Sequence, residues 1–125
     1  MSTTDDVRRI ALALPEVTEE ADRFAFRVRG KPLCWCWLER VDPKKGRVPN
    51  LSVLGVRVSN EMDKYALIDI GPDRFFTEPH YNGYPAILVR LDAIDPDELA
   101  GLILAAWRLQ APKSLVKKWE VGGAV

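Results

Sequence analysis

The sequence predicts one two-layer α+β sandwich, a five-stranded antiparallel sheet with helices on one face, in the order α-β-β-β-α-β-β-α. Three observations predict it. Apolar residues recur with helical spacing near both ends of the chain, period-two alternation fills the middle, and the connections between strands are short. The 125 residues are the length of a single domain, and 47% hydrophobic with 29% charged is a globular composition.

In the first helix Val7, Ile10, Ala11 and Leu14 share one stripe. Thr3 or Thr4 caps it, Asp5 and Asp6 suit the positive end of its dipole, and Pro15 stops it. Glu16 to Asp22 reads as a polar, acidic connection. Phe24, Phe26 and Val28 then alternate with Ala25, Arg27 and Arg29, a strand with one buried face. After Gly30-Lys31-Pro32, the run Leu33 to Leu38 is apolar on both faces and belongs centrally in the sheet. Val41 to Asn50 is a long basic hairpin loop rich in turn residues, and a third strand follows from Leu51 to Val58.

Ser59 or Asn60 caps a short helix with Met62, Tyr65 and Ala66 as its apolar stripe. Arg74 to Thr77 and Ala86 to Leu91 are the fourth and fifth strands, separated by the loop Glu78 to Pro85. The last long helix starts at Asp95, with Pro96 in its first position and Glu98 completing a capping box. Leu99, Leu102, Ile103 and Ala106 form its buried face, and Pro112 ends it. Lys113 to Trp119 adds one or two further turns, and the chain frays from Gly122-Gly123 onward.

Together, several stretches carry a resemblance. They are Ala11-Leu12-Ala13-Leu14-Pro15, Phe26 to Lys31, Asp73-Arg74-Phe75-Phe76, Pro79 to Tyr84, Leu88 to Leu91 running into Asp95 to Leu99, and Ala111 to Lys117. In order and spacing the chain resembles the MmcQ/YjbR family of small bacterial proteins over nearly its whole length. The resemblance implies a single domain over residues 1–125 with a secretion-chaperone-like fold: helix, three strands, helix, two strands, helix. It also implies a "double wing" that binds DNA.

Net charge is zero, but the charges fall in blocks. Residues 1–22 carry −4, residues 23–57 carry +7, residues 58–98 carry −6 and residues 99–125 carry +3. The basic block supplies Arg27, Arg29, Lys31, Arg40, Lys44, Lys45, Arg47 and Arg57 as candidate nucleic-acid contacts. Arg27 and Arg29 share the outward face of one strand, and Lys44, Lys45 and Arg47 sit at a hairpin tip. Such a wing can lie along a phosphate backbone and displace counterions, with Trp35 or Trp37 stacking on bases. The alternative for the same residues is a solvated sheet face with a charged loop.

Of the tryptophans, core packing takes Trp107 and one of the strand pair. It leaves the other on the opposite face, where it anchors a partner surface, for instance of a homodimer. His80, Tyr81 and Tyr84 make a possible loop site in which the histidine could act as an acid or base. No nucleophile pattern, phosphate-binding glycine loop or metal-ligand spacing accompanies them, so the expectation is a non-enzymatic protein without metal or cofactor. Cys34 and Cys36 lie two apart on one strand face, where their Cβ vectors do not converge, and read as buried small hydrophobes. No apolar run approaches the roughly 18 residues of a membrane span, and the acidic N-terminus is unlike a secretory signal, so the expected compartment is the cytoplasm.

Overall fold

The structure is a computed structural model that describes residues 1–20 and 22–123. Thr3 begins it as expected: its hydroxyl oxygen accepts from the Asp6 N–H at 3.2 Å, while the Asp6 carboxylate accepts from the Thr3 N–H at 2.9 Å. This reciprocal box opens helix α1, Thr4–Leu12, which buries Val7 and Ala11. Arg9 and the Thr3 N–H both hold the Asp6 carboxyl below its ordinary range.

The sheet has six strands rather than five: β1 Val17–Glu20, β2 Ala25–Val28, β3 Lys31–Glu39, β4 Val48–Arg57, β5 Phe75–Phe76 and β6 Ala86–Arg90. Their order is β1-β2-β3-β4-β6-β5, with every neighbouring pair antiparallel. The added strand is β1, inside the segment expected to be an acidic connection. Its β-branched Val17 and Thr18 suit a strand, and each of its glutamates finds an arginine. Val17 pairs with Val28 and packs on the core. Glu19, on the same face, takes Arg8 of α1 at 2.9 and 3.0 Å, and Glu20, on the other face, takes Arg27. A short edge strand with an inward charge is also protected against pairing with another chain.

Helices α1, α3 (Pro96–Gln110) and α4 (Lys113–Gly123) pack on one face of the sheet, where Leu99 and Ile103 of α3 meet Phe26, Leu33, Leu54 and Ile87 of the strands. Trp107 is fully buried there, donates its indole N–H to the Pro15 carbonyl at 3.0 Å, and meets Trp119 edge to face at 5.4 Å. Helix α4 runs longer than the one or two turns expected and includes Gly122 and Gly123. The remainder of the expected fraying, Ala124 and Val125, lies outside the described residues.

Three side chains take other places than the sequence suggests. Asp95 caps α3 by accepting from the Asp97 N–H, but Glu98 does not close a capping box. It grips Arg74 instead, at 2.6 and 2.9 Å, and the Arg74 guanidinium lies where a Cβ on Gly71 would stand. Trp35 and Trp37 both leave the helix-covered core. Residues two apart on a strand share a face, and both indoles pack with Val53, Phe76, Tyr81, Ala86 and Leu88 on the opposite side of the sheet. In α2, Glu61–Ile70, the stripe of Met62, Tyr65 and Ala66 faces outward, because Leu67 and Ile68 pack on the core and Lys64 is fully buried.

The β3–β4 ladder contains a discontinuity that shapes the rest. Cys36 pairs with Leu54, but Trp37 pairs with Asn50, so Leu51, Ser52 and Val53 have no partners on β3. An extra stretch of this kind bends a strand and increases its twist. Pairing of β2 with β3 stops at Trp35, and pairing of β4 with β6 begins at Val53. The distal ribbon from Trp37 to Asn50 therefore pairs only with itself and projects beyond its neighbours.

Candidate nucleic-acid interface

The tip of this ribbon is ordered by its own arginines. Arg40 donates to the Lys45 carbonyl at 2.9 Å, Arg47 donates to the Leu38 carbonyl at 2.9 Å, and Asp42 accepts from the Lys44 N–H at 2.9 Å. Lys44 and Lys45 project into solvent. Among the described residues, no carboxylate lies within ion-pair distance of Arg40, Lys44, Lys45 or Arg47. The four cations thus stand on a fixed scaffold with Asp42 as the carboxylate of the tip turn, spent on the Lys44 N–H rather than on a cationic side chain.

The other candidates are dispersed or already paired. Arg27 pairs with Glu20 and also donates to the Gly30 carbonyl at 3.0 Å. Arg29 leaves the strand for the following turn, at φ 48°, and grips Glu16 with two bonds of 2.6 and 3.1 Å. Those bonds hold the Glu16 carboxyl below its ordinary range and raise the Arg29 guanidinium. Arg29 and Lys31 sit at the opposite end of β3 from the tip, roughly 25 Å away along its nine residues. Arg57 lies at the end of β4 beside α2 and α3. One basic face of eight residues does not form, because the acidic segment before β2 neutralises its middle.

At the foot of the ribbon, where β2 begins, an open cleft of about 910 Å³ restores some of that charge. Arg8, Arg23, Arg27 and Arg47 line it against the carboxylates of Glu20 and Asp22. Trp35, Tyr81 and His80 close its other side. Arg8 and Arg23 were absent from the sequence-derived set. They belong to a helix and a turn that come beside the hairpin only in the fold, although Arg23 opens the basic block.

The aromatic wall of the cleft is built from the loop after β5. Trp35 lies across Gly55 and donates its indole N–H to the Tyr81 hydroxyl at 2.9 Å. A 3-10 turn, Pro79–Tyr81, buries Tyr81, and burial pushes its hydroxyl pKa up. Lys64 clamps this loop to α2, donating to the Tyr81 carbonyl at 2.7 Å and the Tyr84 carbonyl at 3.1 Å. The site thus gathers His80, Tyr81 and Tyr84, with adjacent rings 5.9 Å apart. His80 is exposed and makes no side-chain hydrogen bond among the described residues, which leaves it no partner to orient a proton transfer. The same loop covers much of the outer aromatic face, leaving Trp35, Trp37 and Phe76 half-buried.

An ideal Cβ on Gly55 would lie 2.3 Å from the Trp35 indole nitrogen. Gly55→Ala is therefore expected to displace Trp35 and break its bond to Tyr81, at a cost of about 2 kcal/mol. A changed near-ultraviolet circular dichroism signal with a lowered melting temperature checks it.

Cys34 and Cys36 are free and buried, and burial raises both thiol pKa values, so neither is poised as a thiolate. Among the described residues, no three His, Cys, Asp or Glu side chains are grouped to hold a metal ion, and no helix is long and apolar enough to cross a membrane.

Comparison with known proteins matches the geometry to a family. Uncharacterized proteins of Mycobacterium bovis and of two strains of Mycobacterium tuberculosis are 44% identical to the chain over 126 residues, covering 94% of it and 95% of each relative. A crystal structure of a Deinococcus radiodurans protein with the DUF419 domain shares the fold, with a TM-score of 0.63 at 20% identity, over 87% of this chain and 78% of that one. The YjbR family model matches residues 12–109, from the end of α1 through most of α3. By that match, over most of its length, the chain belongs to the YjbR family.

Proposed function

We propose that the protein is a non-enzymatic, cytoplasmic nucleic-acid-binding module that holds DNA with the β3–β4 ribbon. The observation that supports this is the tip itself: Arg40, Lys44, Lys45 and Arg47 stand on a self-paired ribbon, and none of them is in an ion pair among the described residues. The ribbon lies along the phosphate backbone, and each cation that replaces a condensed counterion contributes to affinity. Arg23 extends the track into the cleft, where His80 and Trp35 offer ring surface to a base. With zero net charge overall, long-range attraction is weak and binding rests on these local contacts.

Fluorescence anisotropy against labelled duplex and single-stranded oligonucleotides tests the proposal. Micromolar or tighter binding is expected at about 50 mM salt, weakening with a log–log salt slope of roughly −4 if the tip cations each meet a phosphate. Absence of binding to both forms at low salt would sink it.

A further inference from the structure

The cleft at the foot of the ribbon exists because β2 begins late. The Cys36 N–H donates to the Phe24 carbonyl at 3.0 Å, and Phe24 itself, at φ 47°, turns the chain out of line with the sheet. Beyond Cys36, among the described residues, no strand pairs with β3 on that side. The cleft opens in this gap, so its walls come from both faces of the sheet. Trp35 and Tyr81 belong to the outer aromatic face, whereas Phe24 and Cys36 belong to the helix-covered face.

Much of the charge around the cleft is already spent. Arg8 gives two bonds to Glu19, and Arg27 pairs with Glu20. Arg23 and Arg47 remain against Asp22, and none of these three is in an ion pair among the described residues. The surplus is one positive charge, too little to hold a duplex backbone along the cleft by counterion release alone. Ring and apolar surface, by contrast, is abundant. The Trp35 ring is half-buried and fixed by its N–H bond to the Tyr81 hydroxyl at 2.9 Å. His80 is exposed, and on the ribbon side Leu38 and Leu51 are 51% and 56% exposed.

A base in a duplex is stacked on both faces and shows a protein only its edge in a groove. Ring surface serves a base that has left the stack. The volume of about 910 Å³ is that of a small-molecule pocket, room for a nucleotide or two and not for the girth of a double helix. Arg47 belongs to both the tip and the cleft, so a strand held at Lys44 and Lys45 continues past Arg47 toward Arg23. We propose, resting on the nucleic-acid-binding role of the ribbon, that the substrate is an unpaired DNA strand. Its phosphates follow the ribbon, and its bases enter the cleft and stack on His80 and Trp35 between Arg47 and Arg23.

Fluorescence anisotropy at about 50 mM salt tests this with one labelled strand in three forms: bare, in a blunt duplex, and with a few central bases removed. The bare strand should bind about tenfold tighter than the duplex. The abasic strand, which keeps every phosphate, should fall to the level of the duplex. His80→Ala, at an exposed side chain, should keep its circular dichroism spectrum and cut the strand-over-duplex ratio about threefold. Arg23→Ala should flatten the single-strand salt slope by roughly 0.7. Equal affinity for strand and duplex would overturn the assignment while leaving the ribbon's role standing. So would an abasic strand that binds as tightly as the intact one, or a His80→Ala protein that keeps the full ratio. Binding of none of the three forms would remove the ribbon's role and the unpaired-strand substrate with it.

Discussion

Lys64→Ala is expected to lower stability by about 3 kcal/mol and the melting temperature by about 10 °C. Lys64 is fully buried, and its ammonium supplies the hydrogen bonds to the carbonyls of Tyr81 and Tyr84, with Glu61 at 3.5 Å as its counter-charge. Removing the group takes the charged donor from two carbonyls, which keep only the backbone N–H bonds from Tyr84 and Ala86, and opens a cavity where the aliphatic stem was packed. Lys64→Met separates these effects, because it keeps most of the stem and removes only the charge. Its expected cost is about 2 kcal/mol, concentrated in the loop Glu78 to Pro85. Hydrogen exchange should accelerate in that loop before the rest of the sheet opens, and the Trp35–Tyr81 bond should loosen with it. A Lys64→Ala protein melting within about 2 °C of the parent would show that the ammonium is not the clamp.

The second large effect is on binding. Replacing Lys44, Lys45 and Arg47 together with Ala should flatten the log-affinity against log-salt slope by roughly 0.9 for each duplex phosphate that is no longer neutralised. At about 50 mM salt the affinity should fall a hundredfold or more. Little destabilisation accompanies it, because the two lysines are exposed and Arg47 has one backbone partner. By contrast, Arg29→Ala should leave the slope unchanged, since Arg29 is held by Glu16 at the far end of β3. The pair of variants separates a basic tip from a generally basic surface. An equal effect from both would place binding on the strand face instead.

What the sequence made legible were features carried by one or a few neighbouring residues. Thr3, Asn60 and Asp95 each cap the helix expected of them, and the turn residues Asp42 to Gly46 sit at the hairpin tip. Long-range pairing was not legible. β1 was hidden because glutamates are poor strand formers in isolation, and only Arg8 and Arg27, on the helix before and the strand after, make Glu19 and Glu20 fit. A buried lysine inverted α2, for its apolar stripe points outward where periodicity alone places it inward. The hairpin part of the candidate site could be read from basic residues between turn residues. The cleft could not, because α1, the turn before β2 and the loop after β5 each contribute one wall.

The most direct test of the central claim uses the four tryptophan indole N–H signals in a nitrogen–proton correlation spectrum. Trp35 lines the cleft beside the ribbon, whereas Trp107 is buried against Pro15 and Trp119 packs on it in the helical layer. Titration with a short oligonucleotide should shift the Trp35 indole and the backbone amides of residues 40–47, and leave the Trp107 and Trp119 indoles in place. Shifts confined to α2 and α3, or none at saturating oligonucleotide, would contradict it.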